Sequence, residues 1–133
     1  MNIFIDTSAI LAILNPNDVN HRAASQIWTR LVIEKVPMTT TNYVLLESFA
    51  LVQNRVGLTA IRALQDGMVP LLQLIWVNPE FHQAAVTGLL IANQRALSLV
   101  DCTSFEAVRR FALTACFAFD RHFTEQGFRC LTQ

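Results

Sequence analysis

The sequence has few of the residues and segments that mark disordered, secreted or membrane-spanning chains. Only four glycines and four prolines occur in 133 residues, and 15% of the residues are charged against 53% hydrophobic, which excludes a disordered chain. Apolar runs fall short of the roughly 18–20 residues that a bilayer-spanning helix needs, and the N-terminus lacks the basic region and cleavage site of a signal peptide. We therefore expect one domain over residues 1–133, with no membrane segment.

Cysteine and lysine are also scarce. Cys102, Cys116 and Cys130 are odd in number and form no C-x-x-C pair, which is typical of reduced thiols in a cytoplasmic protein. The formal net charge is 0, and one of the ten cations, Lys35, is a lysine. A broadly basic surface for nucleic acid is therefore excluded, and any contact with nucleic acid must depend on a local patch.

What the sequence does contain is an alternation of short apolar runs with helical periodicity. Such alternation predicts a three-layer α/β/α sandwich with a mostly parallel central sheet. Strands are predicted over residues 2–5, 37–39, 74–77, 115–119 and 128–131, and helices over 8–14, 20–35, 41–55, 58–72, 79–95, 103–111 and 121–125.

Three aspartates stand where such a sheet would gather them. Asp6 directly follows the first predicted strand, and Asp120 directly follows the strand over 115–119. Asp101 lies just ahead of a helix that we expect to begin at the capping-box pattern of residues 103–106. Ligands of parallel sheets bind outside the carboxyl ends of the strands, so these side chains are candidates for a shared site.

A fourth acid, Glu47, lies inside the apolar helical stretch VLLESFALV and has no cation three or four residues away. Each of the four acids also has a purely structural interpretation. Asp6 and Asp101 could cap helices, Asp120 could pair with Arg121 or Arg110, and Glu47 could face solvent.

Clustered carboxylates require a neutralising partner. Two like charges about 4 Å apart repel by roughly 4 kcal/mol at an effective dielectric constant near 20, and the chain has one lysine to offer. A divalent ion is the alternative, and an all-oxygen ligand set suits Mg²⁺ or Mn²⁺. Such an ion lowers the pKa of a bound water and stabilises charge on phosphoryl oxygens.

Four segments, in order and at these spacings, resemble the PIN-domain ribonucleases, particularly the small VapC toxins of bacterial toxin–antitoxin pairs. The resemblance covers essentially the whole chain. It is carried by IDTSAIL with Asp6, TTNYVLLES with Glu47, LSLVDCTSF with Asp101 and FAFDRHF with Asp120.

The resemblance implies a parallel sheet between helices and Mg²⁺- or Mn²⁺-dependent cleavage of RNA. It implies that Asp6 and Asp101 are the principal metal ligands, with Glu47 and Asp120 as supporting ligands. It further places residues that position the substrate beside the acids, and it gives no task to a histidine, so His122 is expected to be structural. The candidate positioning residues are Thr7, Ser8, Thr103 and Arg121, each with helix capping or ion pairing as the alternative.

Other functions remain to be weighed. A haloacid-dehalogenase-like phosphatase needs Asp-x-Asp, where this chain has Ser8, and the P-loop and G-x-G-x-x-G patterns are absent. A non-catalytic PIN-like binding module stays open, because a mean hydropathy of +0.37 suggests a homodimer face or a groove for a partner helix, such as an antitoxin segment. Trp28, Trp76 and Tyr43 could stack on RNA bases or belong to the core.

Overall fold

The computed structural model describes residues 1–132, over which the chain forms four strands and seven α-helices. A π-helical turn (Leu64–Met68) and a 3₁₀ turn (Val69–Leu71) connect α4 to β3. The predicted α/β architecture is confirmed. The strands are β1 (Ile3–Ile5), β2 (Met38–Thr41), β3 (Leu72–Ile75) and β4 (Ala115–Phe117). The helices are α1 (Thr7–Leu14), α2 (His21–Ile33), α3 (Asn42–Arg55), α4 (Leu58–Ala63), α5 (Pro79–Ala92), α6 (Leu99–Arg110) and α7 (Arg121–Glu125).

The four strands form one parallel sheet in the order β3-β2-β1-β4. In its register Phe4 lies opposite Thr39 on one side and Cys116 on the other, and Thr41 lies opposite Ile75. The central strand β1 is fully buried, as its uninterrupted apolar sequence predicts for a strand covered on both faces. A side chain at its carboxyl end therefore starts from a rigid position.

Aromatic packing places α6 and α7 on one face of the sheet. The ring of Phe4 from β1 stacks on Phe123 of α7 at a centroid distance of 6.2 Å, and Phe105 of α6 packs edge-on against Phe123 at 5.2 Å. Helix α5 packs on α6, and α1 packs on α2 and α3. Over residues 1–132, every helix is too short or too polar to cross a membrane.

Several predicted strand boundaries are wrong. Strand β1 begins at Ile3 rather than at residue 2, and β2 spans Met38–Thr41 rather than 37–39. Strand β3 begins and ends two residues before the predicted 74–77, because Leu72 pairs with Met38 at the start of β2. Strand β4 ends at Phe117 rather than at residue 119. The segment 128–131 makes a single bridge, between Cys130 and Cys116, since a turn at Gly127 (φ +85°) leaves too little extended chain for a strand.

The start of α6 also differs from the prediction. Its capping box is formed by Ser98 and Asp101, so the helix begins at Leu99 rather than at residue 103. Residues 98–101 match the capping-box pattern as well as residues 103–106 do. The helix begins at the first of these two matches. The hydroxyls of Thr103 and Ser104 instead donate to helix carbonyls four residues back, at 2.7 and 2.9 Å. Asp101 therefore lies inside the first turn, not ahead of it.

Candidate metal centre

Ser8, the second residue of α1, holds the Asp6 side chain at the carboxyl end of β1. Its Oδ2 caps α1 by accepting the Ser8 N–H at 3.1 Å and the Ser8 hydroxyl at 2.6 Å. The Ser8 hydroxyl oxygen also accepts the N–H of Phe119, just beyond β4, at 2.9 Å. Ser8 thereby ties the ends of two neighbouring strands together and fixes the Asp6 carboxylate, which is 4% exposed.

Asp101 reaches the same region from α6. It is the third residue of that helix, and its Oδ2 accepts the N–H of Ser98 at 3.2 Å, while the Ser98 hydroxyl oxygen accepts the N–H of Asp101 at 3.0 Å. This reciprocal pair satisfies two free donors at the helix start and holds the carboxylate in one orientation. The capping interpretation of Asp101 is therefore correct in part, since one of its oxygens does cap the helix.

Asp120 comes from the segment after β4 and caps the short helix α7. Its Oδ1 accepts the backbone N–H of His122 at 2.9 Å. The predicted alternative of an ion pair with Arg121 or Arg110 is wrong within residues 1–132. Arg121 pairs with Glu125 at 3.5 Å, and Arg110 pairs with Glu106 at 3.4 Å.

These elements bring three metal-binding side chains together. One ligand atom each from Asp101, Asp120 and His122 lies within 4.8 Å of the others. His122 Nδ1 is 2.9 Å from Asp120 Oδ1 and 3.5 Å from Asp101 Oδ2. We expected His122 to be structural from the sequence, and its position beside Asp101 and Asp120 was not predicted. The spacing Asp-x-His at a helix start is the signal that could have indicated it.

The carboxylates of the site face one another and the imidazole of His122, which lies 2.9 Å from Asp120 and 3.5 Å from Asp101. The pKa of Asp6 is raised to about 6, mainly because the carboxyl group is buried. The charges of Asp101 and Asp120 contribute to this rise, whereas the hydrogen bonds from Ser8 act against it. Burial also raises the pKa of Asp101, and the charge of Asp120 adds to the effect. Within residues 1–132, lysine and arginine form no ion pair with these three aspartates. Ionised together, they would repel one another.

The donor set fits a hard divalent cation. Asp6, Asp101 and Asp120 each use one oxygen to cap a helix. The second oxygen of each makes no hydrogen bond to any residue from 1 to 132, and it is not sealed from solvent. Carboxylate oxygens that are oriented by hydrogen bonds and left with a free lone pair are suitable ligands for Mg²⁺ or Mn²⁺.

Glu47 stands apart from this group. It lies half-buried in the second turn of α3. Like Asp6, it does not belong to the group of Asp101, Asp120 and His122 whose ligand atoms lie within 4.8 Å of one another. Its neighbour Ser48 donates a hydrogen bond to the hydroxyl of Thr7, the residue after Asp6, at 3.2 Å. The hydrogen bond between Ser48 and Thr7 therefore places the segment that carries Glu47 next to the segment that carries Asp6.

The predicted substrate-positioning residues divide into two kinds. Thr103 is fully buried, and its hydroxyl donates to a helix carbonyl. The prediction that Thr103 contacts the substrate is therefore wrong. Thr7 is buried too and donates to the Val44 carbonyl at 3.4 Å, and the hydroxyl of Ser8 both donates and accepts within the chain. Arg121 differs, because 80% of its side chain is exposed next to Asp120.

The chain belongs to the PIN-domain family, whose sequence model matches residues 3–129. It is 31% identical over 128 residues to the 23S rRNA-specific endonuclease VapC20 of Mycobacterium tuberculosis, and the match covers 95% of both chains. The crystal structure of that protein, described as a Sarcin-Ricin loop cleaving toxin, superposes with a TM-score of 0.81 over 95% of each chain.

Two more distant structures share the fold. FitAcB from Neisseria gonorrhoeae is 13% identical with a TM-score of 0.68, covering 96% of this chain and 95% of its own. VapBC2 from Rickettsia felis, solved with a DNA fragment from its promoter, is 11% identical with a TM-score of 0.70, covering 98% of this chain and 97% of its own.

Proposed function

We propose that this PIN-domain protein is an endoribonuclease that depends on Mg²⁺ or Mn²⁺. Asp6, Asp101 and Asp120 would hold the ion, with Glu47 as a supporting ligand from the side. The observation that carries the proposal is the group formed by Asp101, Asp120 and His122, with Asp6 near enough for the charges of Asp101 and Asp120 to raise its pKa, and with no lysine or arginine of residues 1–132 paired with these aspartates. Repulsion among ionised carboxylates raises their pKa values, and a bound cation would relieve that repulsion.

The residues of the chain have distinct tasks in this proposal. Ser8 and the capping box of Ser98 hold Asp6 and Asp101 in fixed orientations before any ligand arrives. Such pre-orientation reduces the cost of assembling the site. A bound divalent ion would lower the pKa of a water and stabilise negative charge on the phosphoryl oxygens. Arg121 is exposed beside Asp120 and can contact a phosphate of the substrate.

RNA is the substrate that we infer. The relative that matches 95% of this chain is named for cleavage of 23S rRNA, and its structure for cleavage of the Sarcin-Ricin loop. We therefore expect this chain to cleave a folded RNA loop, which proteins recognise through its shape and its unstacked bases.

We further propose that the chain is the toxin of a toxin–antitoxin pair, acts in the cytoplasm and forms a homodimer. Its three cysteines are free and buried, as expected for reduced thiols. Leu46 on α3 and Leu90 and Ile91 on α5 are each more than 70% exposed. Apolar side chains at this exposure are suited to a second copy or to an antitoxin helix.

The test is cleavage of a labelled RNA hairpin by the purified protein with Mg²⁺, with Mn²⁺ and with EDTA. We expect cleavage with either metal, none with EDTA, and a loss of about 100-fold or more in Asp6→Asn, because a ligand is removed from the ion. Asp66→Asn is the matched control, since Asp66 is an exposed aspartate outside the site. Equal activity of Asp6→Asn and the wild type, or full activity in EDTA, would contradict the proposal.

The alternative function is a non-catalytic binding module that acts through its exposed apolar surface. The observation in its favour is the exposure of Leu90 and Ile91, at 71% and 79%. A module of this kind would cleave no RNA with any metal, and Asp6→Asn would leave its partner binding unchanged. The same preparations of protein distinguish the two functions.

A further inference from the structure

His122 has a buried ring nitrogen with no hydrogen-bond partner. The residue lies in the first turn of α7, and 13% of its side chain is exposed. Its Nδ1 is sealed from solvent and makes no hydrogen bond to any residue from 1 to 132, although carboxylate oxygens of Asp120 and Asp101 lie 2.9 and 3.5 Å away. Leaving a buried polar atom unsatisfied is costly, so a missing partner is expected.

In the other two histidines, Nδ1 has a hydrogen-bond partner within the chain. The Nδ1 of His21 contacts the carbonyl oxygen of Ala12 at 2.8 Å, and the Nδ1 of His82 contacts the hydroxyl of Tyr43. Each of these nitrogens has one well-oriented polar partner from the chain. The Nδ1 of His122 differs, because its nearest oxygen, Asp120 Oδ1, lies 2.9 Å away without forming a hydrogen bond to it and accepts the backbone N–H of His122 instead.

The distances around this nitrogen are those between ligands of one metal ion. Neighbouring ligands of an octahedral ion with bonds of about 2.1 Å are about 3 Å apart, and opposite ligands about 4.2 Å apart. The separations of 2.9 and 3.5 Å between Nδ1 and the two carboxylate oxygens are close to the spacing of neighbouring ligands. An ion between the three side chains would satisfy Nδ1 and both carboxylates at once.

We propose that Nδ1 of His122 is a direct ligand of the divalent ion, together with Asp101 and Asp120. This inference rests on the proposed function, which places an ion among the carboxylates. A nitrogen ligand also changes selectivity, because imidazole suits transition metals whereas Mg²⁺ prefers oxygen. The mixed set therefore favours Mn²⁺ over Mg²⁺, and His122 determines that preference.

The test uses Mn²⁺ alone as the probe, without RNA. Pulsed EPR of Mn²⁺ bound to the wild-type protein should show coupling to a ¹⁴N nucleus, which changes to a ¹⁵N pattern when histidine is labelled with ¹⁵N. The nitrogen coupling should disappear in His122→Ala and persist in His82→Asn, a control histidine in α5. Calorimetry should show that His122→Ala binds Mn²⁺ about 10- to 100-fold more weakly.

A second variant tests the selectivity. His122→Asn offers an oxygen near the position of Nδ1, so it should bind Mg²⁺ at least as well as His122→Ala while losing the preference for Mn²⁺. Bound Mn²⁺ without nitrogen coupling in the wild type, or unchanged or tighter Mn²⁺ binding in His122→Ala, would overturn the role of His122 and leave the carboxylate site intact. No binding of Mn²⁺ to the wild type would overturn the metal site itself. Because the label is present in all three histidines, the variants assign the nitrogen to His122, and His122→Asn provides that assignment if His122→Ala fails to fold.

Discussion

The two halves of the carboxyl edge of the sheet differ in how their polar groups are satisfied. In the β2–β3 half, the Thr41 hydroxyl oxygen accepts the N–H of Val44 at 3.1 Å, and Asn42 Oδ1 accepts the N–H of Val77 at 2.8 Å. In the β1–β4 half, Asp6 and its neighbouring acids keep free oxygens and a buried histidine nitrogen keeps no partner within residues 1–132.

This difference distinguishes polar groups that stabilise the fold from polar groups that are free to bind a ligand. Hydrogen bonds within the chain complete the polar groups of the β2–β3 half, so that half needs no ligand to be stable. The β1–β4 half contains buried carboxylates that face His122 but no lysine or arginine of residues 1–132, and burying their charge costs folding free energy that a bound cation would offset. The comparison supports the proposed metal site in the β1–β4 half, and we expect the β2–β3 half to hold the substrate.

The largest expected effect is on stability in the metal-free protein. The pKa of Asp6 is about 6 when folded and 3.8 in its unperturbed state. Between these values the folded protein binds more protons, so the contribution of Asp6 to the free energy of unfolding falls as pH rises, by about 3 kcal/mol once pH exceeds 6. We therefore expect Asp6→Asn to be about 2–3 kcal/mol more stable than the wild type at pH 7.5 and equal to it at pH 4.

Urea unfolding of both proteins in EDTA measures this difference, with Asp66→Asn as the exposed control. Saturating Mn²⁺ at pH 7.5 should reverse the order, because the ion stabilises the wild-type carboxylate. A wild type that is more stable than Asp6→Asn at pH 7.5 without metal would show that the Asp6 charge is already compensated within the chain.

A somewhat smaller effect is expected for Asp101→Asn. The asparagine carbonyl oxygen can still accept the N–H of Ser98, so the capping box and the fold should survive. Loss of the charged ligand should weaken Mn²⁺ binding about 10- to 100-fold. Calorimetric titration together with thermal melting separates the two roles. Unaltered Mn²⁺ affinity would exclude Asp101 as a ligand, and loss of the fold would favour a capping role alone.

The smallest of these effects concerns the β2–β3 half. The register places Asp6 level with Thr41 and Ile75, and Trp76 is the next residue, 70% exposed and two strands or about 10 Å from β1. Stacking of a base on an aromatic ring contributes about 1–3 kcal/mol. We therefore expect Trp76→Ala to raise KM for RNA about tenfold while kcat changes little.

Phe111→Ala provides the matched control for Trp76→Ala, because Phe111 is an exposed aromatic at the C-terminal end of α6, away from Asp101. Steady-state cleavage of the same RNA hairpin gives KM and kcat for both variants. A change in kcat alone, or the same loss in both variants, would show that the β2–β3 half does not hold the substrate. Of the three aromatic candidates, Trp28 packs against the core and the Tyr43 hydroxyl contacts His82.

Local signals in the sequence predicted the parts of this site that depend on strand ends. Asp6 and Asp120 could be placed because each follows an apolar run that contains a buried strand, although β4 ends at Phe117. Asp101 could be placed less well, because two capping patterns lie five residues apart and only the packed fold selects Ser98. The approach of His122 to Asp101 depends on how α6 and α7 pack around Phe123, which no local pattern encodes.

The central claim is most directly tested by a crystal structure of the protein grown or soaked in Mn²⁺, with anomalous diffraction to locate the ion. Our account predicts one anomalous peak among Asp6, Asp101 and Asp120, within bonding distance of His122 Nδ1. A fully occupied peak elsewhere, with these carboxylates still unliganded at saturating Mn²⁺, would contradict it.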